Sequence, residues 1–468
     1  MKKLLISLLS IFALSRADAK ITLTPLFSDN MILQQETQAP IWGSSDKSKA
    51  TISITTSWDN KTTKTKANDN GDWRLEVETP TYGGPYTITI SDGEEVTLSN
   101  VLIGEVWIAS GQSNMEMMMT GFNSQPVEGA NHDIATSRDP QLRVMDVEHA
   151  VSDTPLSTIT SLGWSEANSE VVAPMSATAY YFGRTLRTSL DIPIGILVSS
   201  WGGTSINSWT CPEDANSYID VQQREKKSSP RSQHYPGGLY NGMINPIIGF
   251  AARGFIWYQG ESDRMRPDTY CQKLSDLASK WREEWGNEEM PFYYAQIAPF
   301  EYTRYAQTDT ISMYMREEMS KAVDIIPNSG MVCLSDAGLQ DCIHPSNKRV
   351  VGERFAYQAL VKTYGLKGIV ADGPRFKSAE IKDNTIVITF DNAEIGLSTF
   401  GEEIRDFEIS GEDGIFVEAS ARIRSNTVIL SSKAVPEPTK ARYGFKNWFK
   451  GNLYNLGGIP ASSFKTFE

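Results

Sequence analysis

Between Ile21 and about Asn100 apolar residues recur at every second position: Ile52 and Ile54, then Trp73, Leu75 and Val77, then Tyr86, Ile88 and Ile90. That spacing turns one face of each run toward a core and the other toward water, which predicts half-buried antiparallel strands. Asn70-Gly71, Gly83-Gly84-Pro85 and Asp92-Gly93 supply the turns, so residues 20–100 are expected to form a small β-sandwich-like domain. After Val101 the period is lost. Val106-Trp107-Ile108-Ala109 is an unbroken apolar run ending in Ser110-Gly111, as expected of a strand buried on both faces. Strands are predicted again at Ile194 to Val198, Gly254 to Tyr258, Phe292 to Ala298 and Met331 to Leu334. Helices are predicted between and after them, at Ala177 to Leu190, Asp268 to Trp285 with Asp268 as N-cap, Met313 to Ile325, and Ser346 to Tyr364. Alternating strands and helices over 101–367 imply a parallel sheet covered on both sides. The polar stretches near 120–139 and 213–236 read as loop insertions on it. Period two returns at Ile386, Ile388 and Phe390, with further strand candidates near Phe416 and Val428 to Leu430, so 368–468 is expected to be a C-terminal β-domain.

A chain of 468 residues fits about three such units at about 150 residues each. Its 44 Lys and Arg against 57 Asp and Glu give a net charge of −13 without a basic stripe, which argues against nucleic acid as a partner. The N-terminus changes the picture more. Met1-Lys2-Lys3, the apolar run Leu4 to Leu14 and Ala17-Asp18-Ala19 have the order of a secretory signal, with cleavage expected after Ala19 and a periplasmic or extracellular destination. The apolar run is well short of the roughly 20 residues that span a bilayer, and no later run approaches that length, so no transmembrane segment is expected. Cys211, Cys271, Cys333 and Cys342 are too few and scattered for a disulfide framework or zinc site, leaving Cys333 and Cys342 as a candidate bridge.

The sharpest chemical signal is Ala109-Ser110-Gly111-Gln112-Ser113-Asn114-Met115. It puts Ser113 just past a buried strand, where a parallel sheet presents functional groups. Met115 stands where the nucleophile elbow Gly-x-Ser-x-Gly has its second glycine, which weakens the common α/β-hydrolase reading. A serine nucleophile needs a base, and there are four histidines. His132, His149 and His234 lie in or beside polar stretches, whereas His344, in Asp341-Cys342-Ile343-His344-Pro345, follows the last buried strand. Asp341, three residues earlier, is the candidate to orient it. No local pair of carboxylates suggests a glycosidase. A non-catalytic carbohydrate-binding protein, using tryptophans such as Trp58, Trp73, Trp201 and Trp209, is the rival from another class.

Together with Leu26-Phe27-Ser28-Asp29-Asn30-Met31, Ser200-Trp201-Gly202-Gly203-Thr204, Trp257-Tyr258-Gln259-Gly260-Glu261-Ser262, His344-Pro345-Ser346-Asn347-Lys348 and Gly451-Asn452-Leu453-Tyr454-Asn455, these segments resemble the sialate O-acetylesterase-like branch of the SGNH (GDSL-type) hydrolases over nearly the whole chain. The resemblance implies a three-layer αβα esterase domain with a parallel sheet, flanked by N-terminal and C-terminal β-sandwich-like domains. It implies removal of O-acetyl groups from sugars through an acyl-enzyme on Ser113, with His344 as base and no metal or organic cofactor. An oxyanion hole is then expected from the Ser113 and Gly203 N–H groups and the Gln259 side chain, with Glu261 as an orienting carboxylate. Members of this branch often carry Asp two residues before the His. Here Asp341 is three before, and Asp336 further upstream is the alternative acid. Sialate and acetylated plant polysaccharides such as xylan or xyloglucan both remain open as substrates, as does the choice of an Arg to bind a sialate carboxylate among Arg143, Arg253, Arg264 and Arg316. Oligomeric state is not legible.

Overall fold

The computed structural model describes residues 20–218, 232–307 and 310–467; the expected signal segment 1–19 and part of the 213–236 stretch lie outside them. β1 (Ile21–Leu23), β3 (Gln38–Ser45) and β6 (Asp72–Glu78) form one antiparallel sheet. β4 (Thr51–Thr56), β5 (Thr62–Lys66) and β7 (Gly83–Ser91) belong to a second, which β8 (Glu95–Gly111) extends. The alternation does the work expected of it: Trp73, Leu75 and Val77 are buried in β6 while the residues between them face water.

The pattern change at Val101 falls inside a single strand. β8 runs 17 residues without a break, pairing antiparallel with β7 in its first half and parallel with β11 (Ile194–Ser200) and β12 (Gly254–Tyr258) in its second. β2 (Ile32–Gln34) lies beside its middle. Sheet order through the centre is β10 (Ser165–Ala167), β9 (Asp139–Asp146), β11, β8, β12, β13 (Phe292–Ala295), β14 (Ser329–Val332), with β10 the only antiparallel member of that series. β9 was not among the expected strands.

Successive residues of the central strands enter opposite cores. Val106 and Ile108 pack with the Pro267–Glu284 and Ser312–Ile325 helices, while Trp107 and Ala109 pack with Ala177–Leu190 and Lys348–Gln358. Burial on both faces is why these strands read as unbroken apolar runs. Asp268 is in the first turn of its helix, after Pro267, not at the cap. Residues beyond Val370 build separate antiparallel sheets around Ile386, Ile388, Phe390, Phe407 and Tyr443. They are tied to the α/β part by the fully buried Arg316, whose guanidinium donates to Ser463 Oγ at 3.2 Å and to the Lys446 carbonyl. All four cysteines are free thiols, so the Cys333–Cys342 bridge is not formed; Cys333 is buried beside Gln296 and Ser335.

Candidate active site

β11, β8 and β12 are neighbours, and the chain leaves β8 for β9 and β11 on one side and for β12 on the other. Such a reversal opens a crevice at the carboxyl ends of the strands. Three of the singled-out segments emerge there side by side: Ser113 after β8, Gly202 and Gly203 after β11, and Gln259 after β12. Ser113 opens a short helix, Ser113–Glu116, so its N–H has no intrahelical partner.

His344 reaches the same crevice from the loop between β14 and the Lys348–Gln358 helix. Its Nε2 is 2.9 Å from Ser113 Oγ, so the structure brings these two together. Its Nδ1 is 2.6 Å from Gln125 Oε1. For Nε2 to accept the serine proton, Nδ1 must carry the other hydrogen, and the Gln125 carbonyl is the acceptor that holds this tautomer. Gln125 is itself fixed by reciprocal backbone bonds with Phe122, whose ring meets the imidazole edge-on at 5.2 Å. Burial, reinforced by the nearby Lys348 ammonium, lowers the His344 pKa to about 4, so the ring is neutral and able to act as a base at ordinary pH.

Neither expected carboxylate touches His344. Asp341 turns outward, with its side chain 70% exposed and paired to Arg304; three residues of loop carry its carboxylate to the surface. Asp336 is committed to a two-pronged pair with Arg354, both bonds 2.7 Å. Gln259 is also corrected. It is fully buried, and its Nε2 faces Asp263 Oδ2 at 2.6 Å, Gln112 Oε1 at 3.0 Å and the Thr204 carbonyl at 3.1 Å, while its Oε1 accepts from Tyr270. Three acceptors for two hydrogens leave none for a substrate oxygen.

The Gly202-Gly203 pair stands beside the serine. A Cβ on Gly202 would lie 2.7 Å from Glu116 Oε2 and 3.2 Å from the Ser113 Cβ, and Gly203 adopts φ +74°, which L side chains rarely take. Glu116 accepts the Gly202 N–H at 2.7 Å and holds His149 Nε2 at 2.9 Å, with His149 stacked on Trp201 at 4.0 Å. None of the described residues accepts the Gly203 N–H.

Behind the serine, Asn114 joins the motifs into one network. Its Nδ2 donates to Glu261 Oε1 at 2.5 Å and to the Ile343 carbonyl at 3.2 Å, and its Oδ1 accepts from Lys348 Nζ at 2.5 Å. Burial pushes the Lys348 ammonium down to about 7 and the Glu261 carboxyl upward. Glu261 meets the serine segment through Asn114. Of the four arginines considered, Arg143, Arg253 and Arg316 serve structural bonds to Asn30 and Asn100, to Glu105, and to the C-terminal segment. Arg264 also makes structural contacts, donating to the Glu261 carbonyl at 2.8 Å and lying 4.6 Å over the Tyr302 ring, and it lines a cavity of about 510 Å³ with Ser113, Gly203 and His344. Gln125 and Glu116 were missed from the sequence: the first lies in a stretch set aside as an insertion, and the second has only its spacing of three from Ser113 to mark it.

Residues 103–361 match the family described as carbohydrate esterase, sialic acid-specific acetylesterase. The chain is 28% identical to the sialate O-acetylesterase of Homo sapiens over 395 residues, covering 76% of this chain and 73% of that one. It is 27% identical to the Rattus norvegicus sialate O-acetylesterase over 454 residues, covering 82% and 81%. A crystal structure of a carbohydrate acetylesterase from Xanthomonas citri superposes with a TM-score of 0.86 at 32% identity, covering 96% of this chain and 100% of that one.

Proposed function

The chain belongs to the sialic acid-specific acetylesterase family of carbohydrate esterases and is a carboxylic ester hydrolase, and on that footing we propose that it removes O-acetyl groups from sugars through an acetyl-enzyme on Ser113. The observation that carries this reading is the 2.9 Å approach of His344 Nε2 to Ser113 Oγ, with the opposite ring nitrogen anchored on Gln125. His344 takes the serine proton as Oγ attacks the acetyl carbonyl. The oxyanion that forms is met by the Ser113 and Gly203 N–H groups. Collapse expels the sugar oxygen, which receives the proton from His344, and leaves acetyl-Ser113. His344 then deprotonates a water that attacks the acetyl group and returns that proton to Ser113 Oγ as the second tetrahedral intermediate collapses, so that acetate departs and the serine is restored. The orienting third group is an amide, Gln125, in place of the expected aspartate.

Sialate esters are the substrates the family description favours, and Arg264 is the one Arg or Lys among the described residues lining the serine cavity, placed to meet a sugar carboxylate. The reading of the middle unit as an SGNH-type αβα domain is supported by helices on both faces of the central sheet, and the 368–468 unit by a core of its own, whereas the proposed division between 20–100 and 101–367 falls within β8 and a shared core. The Met1–Ala19 segment reads as an export signal, and N-terminal sequencing of the exported protein beginning elsewhere than Lys20 would count against it. The test of function is acetate release by wild type and Ser113→Ala from 9-O-acetylated sialic acid and from acetylated xylan or xyloglucan. Ser113→Ala should be folded and inactive; undiminished release by that variant would refute the mechanism. Release from the plant polymers alone would keep the mechanism and move the substrate.

A further inference from the structure

With the Gln259 amide hydrogens shared among Asp263, Gln112 and Thr204, the oxyanion site holds two backbone donors and the side chain of Gln112. It is 3% exposed and lines the cavity beside Ser113. Its Oε1 is 3.3 Å from the Gly260 N–H, 3.3 Å from the Ser262 N–H and 3.0 Å from Gln259 Nε2. Backbone N–H groups can only donate, so the carbonyl end of the amide must face them and the NH2 end must be turned away. None of the described residues accepts from that NH2. A nearly buried amide with two unused hydrogens is costly unless something in the cavity meets them, and the crevice in question is the one that holds the reacting serine.

We infer that Gln112 Nε2 is the side-chain donor to the oxyanion formed on the acetyl carbonyl, completing a three-donor hole with the Ser113 and Gly203 N–H groups. Gln259 is then a positioning residue: its amide hydrogens, shared among Asp263, Thr204 and Gln112, help hold the Gln112 carbonyl at 3.0 Å and so aim that amide from behind. This assignment rests on Ser113 being the nucleophile.

Two variants separate donor loss from disruption. Gln112→Glu keeps an oxygen for the Gly260 and Ser262 N–H groups and loses the donor; Gln112→Met is neutral and loses both. Each is assayed beside Ser113→Ala on a soluble acetyl ester, with thermal unfolding and inhibition by methylboronic acid, which forms a tetrahedral anion on serine. Both variants should lose about 100-fold or more in kcat with KM within about threefold of wild type, as for removal of one oxyanion donor. Boronate affinity should fall in parallel in Gln112→Met, with the unfolding temperature of Gln112→Glu close to wild type. A kcat within about threefold of wild type in either variant while Ser113→Ala is dead overturns the role of Gln112 and leaves the serine mechanism standing. Undiminished boronate affinity in Gln112→Met overturns it too. Activity in Ser113→Ala removes the mechanism and the Gln112 assignment together.

Discussion

Replacing Gln125 by Glu tests the least expected contact in the site. The substitution puts a negative charge where Oε1 now stands, 2.6 Å from His344 Nδ1. A unit charge at about 4 Å in an effective dielectric of about 20 is worth about 4 kcal/mol, and measured shifts for such pairs run to about 1–3 pKa units. The charge favours imidazolium, so the His344 pKa should rise from about 4 into the range of about 5–7. Because the base must be neutral, the acid limb of kcat/KM should move up by the same amount. Wild type should keep most of its activity at about pH 5, and Gln125→Glu should lose most of its own there while matching or exceeding wild type on the alkaline plateau. Gln125→Leu strands the Nδ1–H without an acceptor, a cost of about 1–3 kcal/mol, and should lower kcat about 10- to 100-fold. The assay is kcat/KM on a soluble acetyl ester across the acid and neutral range. An acid limb in Gln125→Glu within about 0.3 units of wild type would show that His344 is not on Gln125 in the working enzyme.

Four further changes follow from the same geometry. Asp341→Asn should leave kcat within about twofold, since its partner Arg304 is a surface contact, whereas Asp336→Asn breaks the pair with the buried Arg354 and should cost about 3 kcal/mol in denaturant unfolding; a large kcat loss in the first would restore Asp341 to the triad. Lys348→Met removes a charge that lowers the His344 pKa, and Lys348 is protonated throughout the acid limb, so that limb should move upward; a downward move would contradict the sign. Gly111→Ala would place a Cβ 2.2 Å from the Tyr258 carbonyl at φ +141°, and should destabilise by about 2–3 kcal/mol or more; an unchanged unfolding midpoint would show that β8 and β12 separate more easily than their pairing implies.

Local pattern determined the elements because burial leaves a local trace. Period two marked the N-terminal strands, and unbroken apolar runs marked β8, β11, β12 and β13, whose two faces enter two cores. β9 escaped because Leu142, Arg143, Val144 and Met145 include an arginine buried through bonds to Asn30 and Asn100, and that pairing is made only in three dimensions. The same division holds at the site. Ser113 and His344 were legible because each sits in a segment tied to a strand end, and their meeting at 2.9 Å agrees with that reading. Which group holds the imidazole, and which amide has hydrogens to spare, could not be read along the chain. Asp341 is three residues from His344 in sequence and faces solvent, while Gln125 is 219 residues away and touches it. Gln112 and Gln259, equivalent in chemistry, differ only in what surrounds them: Asp263, Thr204 and Gln112 share the hydrogens of Gln259, and two backbone N–H groups face the carbonyl end of Gln112 and leave its hydrogens free of protein acceptors among the described residues. Sequence determines which chemistry is carried. The partners each polar group finds on burial decide which of those groups are left to act.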